Sequence, residues 1–302
     1  MSLCYQCPRK CGVDRCNVNG FCGVGGELIR VGRASLHLWE EPCISGENGS
    51  GTIFFSGCNL GCVYCQNRDL SQKYGGIDIT TQQLSDLMLR LQSNGAHNIN
   101  LVTPSHYVSQ IASALRMAMH KGLQIPVVYN TSGYDSVASL RSLNGLISVY
   151  LADFKYMNDE IGLRYSAVSD YSAVATAALE EMFSQVGTPC FDDNGMMTRG
   201  VIVRHLILPG ELQNSKDVLN KVYTSFGDDI ILSIMNQYTP VGNDLPDSLN
   251  RCVTESEYNE IVEYALSIGI TRAFIQEEGT QQESFIPSFN GEGVLYDSDF
   301  NG

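Results

Sequence analysis

The sequence predicts an α/β fold built on a parallel sheet, and three observations lead there. Short apolar runs alternate with helix-period segments along most of the chain. Those runs are continuously apolar, which marks a parallel sheet covered by helices. Only the first fifty residues break the rhythm, being rich in Cys and Gly instead.

Taken in order, residues 1–50 read as a Cys-rich, metal-binding N-terminal segment followed by a connector, GENGSG. A domain over 51–280 opens with GTIFFSG, a buried strand ended by Gly57. Residues 80–94 carry Leu84, Leu87, Met88 and Leu91 at helical spacing, with Gly95 as a stop. Further strands are expected near 98–103, 125–130, 147–153, 200–208, 229–236 and 271–276, and helices near 106–121, 135–143, 171–186, 215–226 and 254–268. Seven strands suit an open or partly closed barrel, or a flat doubly wound sheet. The polar, Gly-rich tail 281–302 is expected to pack over the domain or fray.

Composition narrows the function. A net charge of −14 repels phosphate backbones and argues against a nucleic-acid partner. No apolar run is long enough for a membrane span, and the N-terminus MSLCYQCPRKC lacks the apolar core of a signal peptide. A cytoplasmic, membrane-free protein is expected. Eleven cysteines, most of them clustered near the N-terminus, then suggest metal rather than disulfides.

The most informative stretch is SGCNLGCVYCQN. Cys58, Cys62 and Cys65 directly follow the first strand of the domain. Strand C-terminal ends are where parallel α/β folds bind ligands. Soft thiolates select iron–sulfur clusters or zinc. Three thiolates holding a [4Fe–4S] cluster leave one iron open to a ligand. The competing reading is a zinc knuckle that borrows a fourth ligand such as Cys43. Upstream, Cys4, Cys7, Cys11 and Cys22 form a C-x2-C-x3-C-x10-C set. Four thiolates suit a closed site, structural zinc or an auxiliary iron–sulfur cluster, with Cys16 within reach as a substitute. Cys190 and Cys252 read as ordinary small residues.

The C-x3-C-x2-C spacing, with Tyr64 before the last Cys, resembles the radical S-adenosylmethionine (SAM) superfamily. CPRKCGVDR, EEPCISG, INLVTPSHYV, IPVVYNTSGY, YLADFKY and VRHLILPG extend the likeness over almost the full length, to the pyruvate formate-lyase activating enzyme-like family. The resemblance implies a partial (βα)6-type parallel barrel, a [4Fe–4S] cluster on Cys58, Cys62 and Cys65, and SAM as cosubstrate. It implies an oxidoreductase that cleaves SAM and abstracts hydrogen, with flavodoxin or ferredoxin as electron donor and a glycyl radical enzyme as candidate partner. Modification of a small molecule or peptide is the alternative. A non-catalytic iron–sulfur or zinc protein is the reading from a different class.

By the same resemblance Tyr64 lies near the adenine, and Asp153 and Lys155 form the family's Asp-x-Lys pair, the lysine facing the SAM carboxylate. The family's Asp-Thr-Asn-Gly segment reads Asn130-Thr131-Ser132-Gly133 here, so a cation-binding carboxylate is missing. These oxygens are expected on SAM instead. The usual Gly-Gly-Glu at the second strand is also absent, which leaves Thr103 and backbone carbonyls for the SAM amino group. Of the neighbours Arg204 and His205, one should point into the barrel, and Arg204 is the expected SAM or substrate contact. His106 is a candidate acid or base, Gln237 and Tyr238 are weaker candidates, and His97 is read as structural.

Overall fold

The computed structural model describes residues 3–72, 74–241, 245–276 and 289–295. The chain begins with a stretch of turns that carries the first five cysteines. β1 (Ile29–His37) leads through α1 (Pro42–Ser45) into β2 (Ser50–Phe55). α2 (Arg68–Ser71), β3 (Ile77–Ile79) and α3 (Thr81–Ser93) precede β4 (Ile99–Val102). Then come α4 (Val108–His120), β5 (Val127–Thr131), α5 (Val137–Ser142) and β6 (Val149–Asp153). α6 (Asp159–Ser166), α7 (Tyr171–Val186) and the short β7 (Cys190–Phe191) lead to β8 (Met197–Leu206). α8 (Leu212–Phe226), β9 (Ile231–Met235), α9 (Glu255–Ser267) and β10 (Ala273–Ile275) complete the alternation.

The strand order is β10-β9-β8-β6-β5-β4-β2-β1-β3, and β7 pairs beside β8. From β2 to β10 the seven main strands are parallel to their neighbours. β1 and β3 extend one edge antiparallel. Among the described residues the two ends of the sheet do not pair, so the barrel is partial, as expected. All seven strands read from the sequence are present. β1 was not foreseen, because IRVGRASLH mixes half-buried Arg30 and Arg33 with buried Val31 and Ala34 and carries a register shift between Val31 and Arg33. Part of the expected Cys-rich segment is therefore a strand, lying between β2 and the edge strand β3.

The long helices cover the outer face. Ile53, Leu101, Tyr129, Tyr150, Val203 and Ile234 pack outward into the helical layer. α3 starts on a capping box, Thr80 with Gln83, and α9 on another, Thr254 with Glu257. The inner face holds a second, smaller cluster: Val128, Val149, Leu151, Ile202 and Ile231 pack on Cys43 and Ile44 of α1. α1 thus plugs the barrel near the strands' N-terminal ends, where Cys43 lines a cavity with His97 and Met196. The opposite end, at the strand C-termini, is left open. Within the tail, residues 289–295 lie against β1, where Ala34 N–H donates to the Glu292 carbonyl and Arg33 pairs with the Glu292 carboxylate at 2.7 Å. The rest of the tail expectation lies outside the described residues. Among the described residues, no helix is long and apolar enough to cross a membrane.

Candidate active site

The loop after β2 carries the cysteine triplet to the open end. Gly57 starts it with φ +87°, and an added Cβ would lie 2.6 Å from the Cys22 carbonyl oxygen. Glycine is required there by conformation and by close approach. Cys58, Cys62 and Cys65 line one cavity with Tyr64, Thr103, Asn130, Thr131, Asp153, Lys155 and Arg204. Ser132, Gln237 and Tyr238 share that wall, and Gly133 does not.

Leu60 and Gly61 N–H groups point at Cys58 Sγ, at 3.3 and 3.5 Å, and Ser166 Oγ donates to Cys62 Sγ at 3.0 Å. A buried relay stands behind that hydroxyl: Tyr64 and Tyr156 hydroxyls meet at 2.6 Å, and Tyr156 meets Ser166 at 2.8 Å. Burial, then the neighbouring sulfurs of Cys62 and Cys65, push the Cys58 thiol up to about 12. Protons on these sulfurs would have to leave for a metal to bind. Donors aimed at the sulfurs favour that deprotonated form. Among the described residues, no three His, Cys, Asp or Glu side chains surround a single point closely enough to hold one metal ion. Three soft thiolates, with N–H and O–H donors aimed at two of them, would suit an iron–sulfur cluster. The zinc-knuckle alternative with Cys43 is corrected here. Cys43 packs in the plug at the other end of the barrel, with Val128 and Val149.

Charged residues converge across the cavity from four elements. Asp153, at the end of β6, accepts from Lys155 Nζ at 2.7 Å and from Arg204 Nε at 2.9 Å. Arg204, on β8, also reaches Glu40 at 3.1 Å and Asn130 Oδ1 at 2.6 Å. Glu40 is held further by Asn100 and Asn130 amides, at 2.9 and 3.2 Å. Burial raises the Asp153 carboxyl, but Lys155 and Arg204 outweigh it and hold it low. Burial opposes the Lys155 charge in turn, and Asp153 and the Cys62 sulfur more than offset it.

At the end of β4, Thr103 has φ +60°. A β-branched residue in that region is strained by about 1–2 kcal/mol, and such strain collects at functional sites. His205 faces the other way, its ring nitrogens on the Phe154 carbonyl and Ser215 Oγ, and burial lowers it to about 4. His106 is not on the cavity wall. Its Nε2 bonds the Ser56 carbonyl at 2.8 Å beneath the N-terminal segment, and burial drives it down to about 3. His97 accepts from Asn48 N–H, a structural role as expected. Sequence reasoning missed Glu40, Asn100, Tyr156 and Ser166. Only EEPC offered a signal, two carboxylates in an otherwise apolar, proline-turned segment.

The N-terminal cysteines gather nearby. Burial, together with Cys22, Cys11 and Cys4, pushes the Cys7 thiol up to about 11. Phe21 N–H points at Cys11 Sγ at 3.3 Å. Cys16 is exposed and sits by Asp14 and Glu27 instead, so it does not belong to this set. Arg9, between Cys7 and Cys11, donates to the carbonyls of Asn59 (2.8 Å), Leu60 (3.0 Å), Ser166 (3.0 Å) and Ala167 (2.8 Å). Phe21 covers its guanidinium at 3.7 Å. One side chain therefore ties the N-terminal segment to the triplet loop and to the serine that bonds Cys62.

With this geometry in place, the comparisons identify the class of domain. The sequence profile of the Radical SAM superfamily matches residues 52–192, so this part of the chain is a radical SAM domain. The family implies a [4Fe–4S] cluster and SAM. An uncharacterized protein of Methanocaldococcus jannaschii is 29% identical over 277 residues, covering 87% of this chain and 74% of the relative. Streptococcus suis SuiB aligns at 11% identity and a TM-score of 0.48, over 76% of this chain. Its complex with precursor peptide SuiA aligns at 10% and 0.49, over 74%. The chain spans about half the length of that protein, 48% and 47%.

Proposed function

We propose that the protein is a radical SAM enzyme that abstracts hydrogen from a substrate bound inside the partial barrel. The observation that carries the reading is the shared cavity: three cluster-type cysteines face Asp153, Lys155, Arg204, Asn130 and Thr103 across it. Cys58, Cys62 and Cys65 would hold the cluster. When bound, cluster and SAM supply one-electron reductive cleavage of the sulfonium C–S bond, giving methionine and a 5′-deoxyadenosyl radical that takes a hydrogen atom from substrate.

The chain's own residues do the rest. Lys155 and Arg204 offer positive charge to the SAM carboxylate, kept charged by Asp153. Asp153 and Glu40 hold the two cations in place, so their orientation costs nothing at the moment of reaction. Thr103, Asn130 and Thr131 present backbone and side-chain oxygens to the SAM amino and ribose groups. Tyr64, Val102, Leu206, Met235 and Tyr238 form apolar walls that exclude water. Cys4, Cys7, Cys11 and Cys22 would hold zinc or an auxiliary cluster and so order a segment too small to build its own core. A flavodoxin or ferredoxin is the proposed electron donor.

A second reading is activation of a glycyl radical enzyme. It is favoured by the Asp-x-Lys pair at the end of β6 and by a cavity that opens at the strand C-termini, where a glycine-bearing loop could enter. The test of the main reading is anaerobic incubation with SAM and dithionite, followed by chromatography. 5′-Deoxyadenosine is expected from the native chain and not from Cys58→Ala. Equal amounts from both would refute the proposal.

A further inference from the structure

A second cavity of about 400 Å³ lies inside the barrel and shares Gln66, Asn67, Val102, Asn130, Arg204 and Gln237 with the cysteine-lined one. Its size suits a ligand of amino-acid or dipeptide dimensions. The loop between β1 and α1 supplies one wall, Trp39-Glu40-Glu41-Pro42, and Phe54 and Phe274 add aromatic surface.

The charges in the joined space do not balance. Three carboxylates, Glu40, Glu41 and Asp153, face two cations, Arg204 and Lys155. Lys155 is paired with Asp153, and Arg204 is shared between Asp153 and Glu40. Glu41 makes no ion pair among the described residues. It is 8% exposed, lies near Arg204 and Ser233, and among the described residues its Oε2 has no hydrogen-bond partner. Asn100, whose amide holds Glu40, also leaves its Oδ1 without a partner. Both orphaned atoms are acceptors. On the chamber wall the Glu41 acceptor is left without a cation of its own, since Arg204 is already shared by Asp153 and Glu40, and a buried acceptor left unmade is costly.

We propose that this chamber is the substrate site and that the substrate carries a cationic nitrogen, a primary amine or guanidine, held by the Glu41 carboxylate. The aromatic and aliphatic walls take its carbon stem, and the carbon to be attacked faces the cysteine-lined cavity. Burial raises the Glu41 carboxyl, and a bound cation is what keeps such a group charged. The proposal rests on the radical SAM reading, but its test needs no turnover.

Trp39 is the single tryptophan of the chain, 63% exposed at the chamber wall, and reports occupancy by its fluorescence. The full-length protein is titrated anaerobically, without reductant, with n-butylamine, butylguanidine, butyrate and butanol at constant ionic strength. Saturable binding is expected for the two cations, at least tenfold tighter than for butyrate or butanol. The isosteric Glu41→Gln variant should weaken cation binding at least tenfold with an unchanged far-ultraviolet spectrum. Equal binding of the neutral or anionic probes by the native chain would overturn the proposal without recourse to any variant. So would an absence of saturable binding, unchanged affinity in Glu41→Gln, or displacement of the cations by saturating SAM, which would assign Glu41 to SAM. Cation binding without 5′-deoxyadenosine formation would leave the chamber standing and sink the catalytic reading instead.

Discussion

Two cysteine sets lie against each other in this protein, and their surroundings differ. Cys58, Cys62 and Cys65 sit at the end of a fully buried strand and face a cavity ringed by Asp153, Lys155, Arg204 and Asn130. Cys4, Cys7, Cys11 and Cys22 sit in a strand-free turn region, and that cavity's lining includes none of them. On the proposed reading, three thiolates on a rigid scaffold beside convergent charge form the reaction centre, and four thiolates in a Gly-rich segment form a metal staple. The difference teaches that cysteine count alone does not assign a role, and that neighbouring charges separate the two readings.

The largest effect that tests this contrast concerns the staple. Cys7→Ser or Cys22→Ser should lose one bound metal centre per chain. It should also cost stability, by several kcal/mol if the segment folds around metal. Elemental analysis and thermal unfolding read both. Retention of metal and melting temperature would show the N-terminal thiols to be plain packing.

Next comes the link between the sets. Arg9→Ala removes four hydrogen bonds to carbonyls, two of them between Cys58 and Cys62. A loss of about 2–3 kcal/mol is expected, along with lower iron occupancy after reconstitution. Arg9→Lys should not restore it, because a single ammonium cannot fork to four acceptors. Full rescue by lysine would mean that charge alone matters there.

Much of this was legible before any coordinates. Continuous apolar runs fixed the seven parallel strands, and a triplet after the first one located the centre. Two kinds of information were not local enough to read. Glu40 and Arg204 are 164 residues apart and meet only because the sheet curves and α1 turns the chain back into it. Arg9 reaches Ala167 across 158 residues for the same reason. β1 escaped because its half-buried arginines and Gly32 dilute the apolar pattern of a strand. Neighbours on β8, Arg204 and His205, were told apart only as an alternation: one had to face inward.

A smaller effect is expected at Ser166. Its hydroxyl donates to Cys62 Sγ, and hydrogen bonds to cluster sulfurs tune reduction potential. Ser166→Ala should lower the potential by on the order of tens of mV, the equivalent of about 1 kcal/mol for one electron. A redox titration followed by electron paramagnetic resonance checks this. The smallest expectation is Cys16→Ser, which should leave metal content and stability unchanged to within about 0.5 kcal/mol.

The central claim, that the two cysteine sets do different work, is tested most directly by electron paramagnetic resonance of the reduced protein with and without SAM. The native chain should give an iron–sulfur signal that SAM perturbs, and the Cys58/Cys62/Cys65→Ala variant should lose that perturbation while keeping its N-terminal metal. A SAM-perturbed signal that survives in the triple variant would place the reaction centre at the N-terminal cysteines and contradict the account.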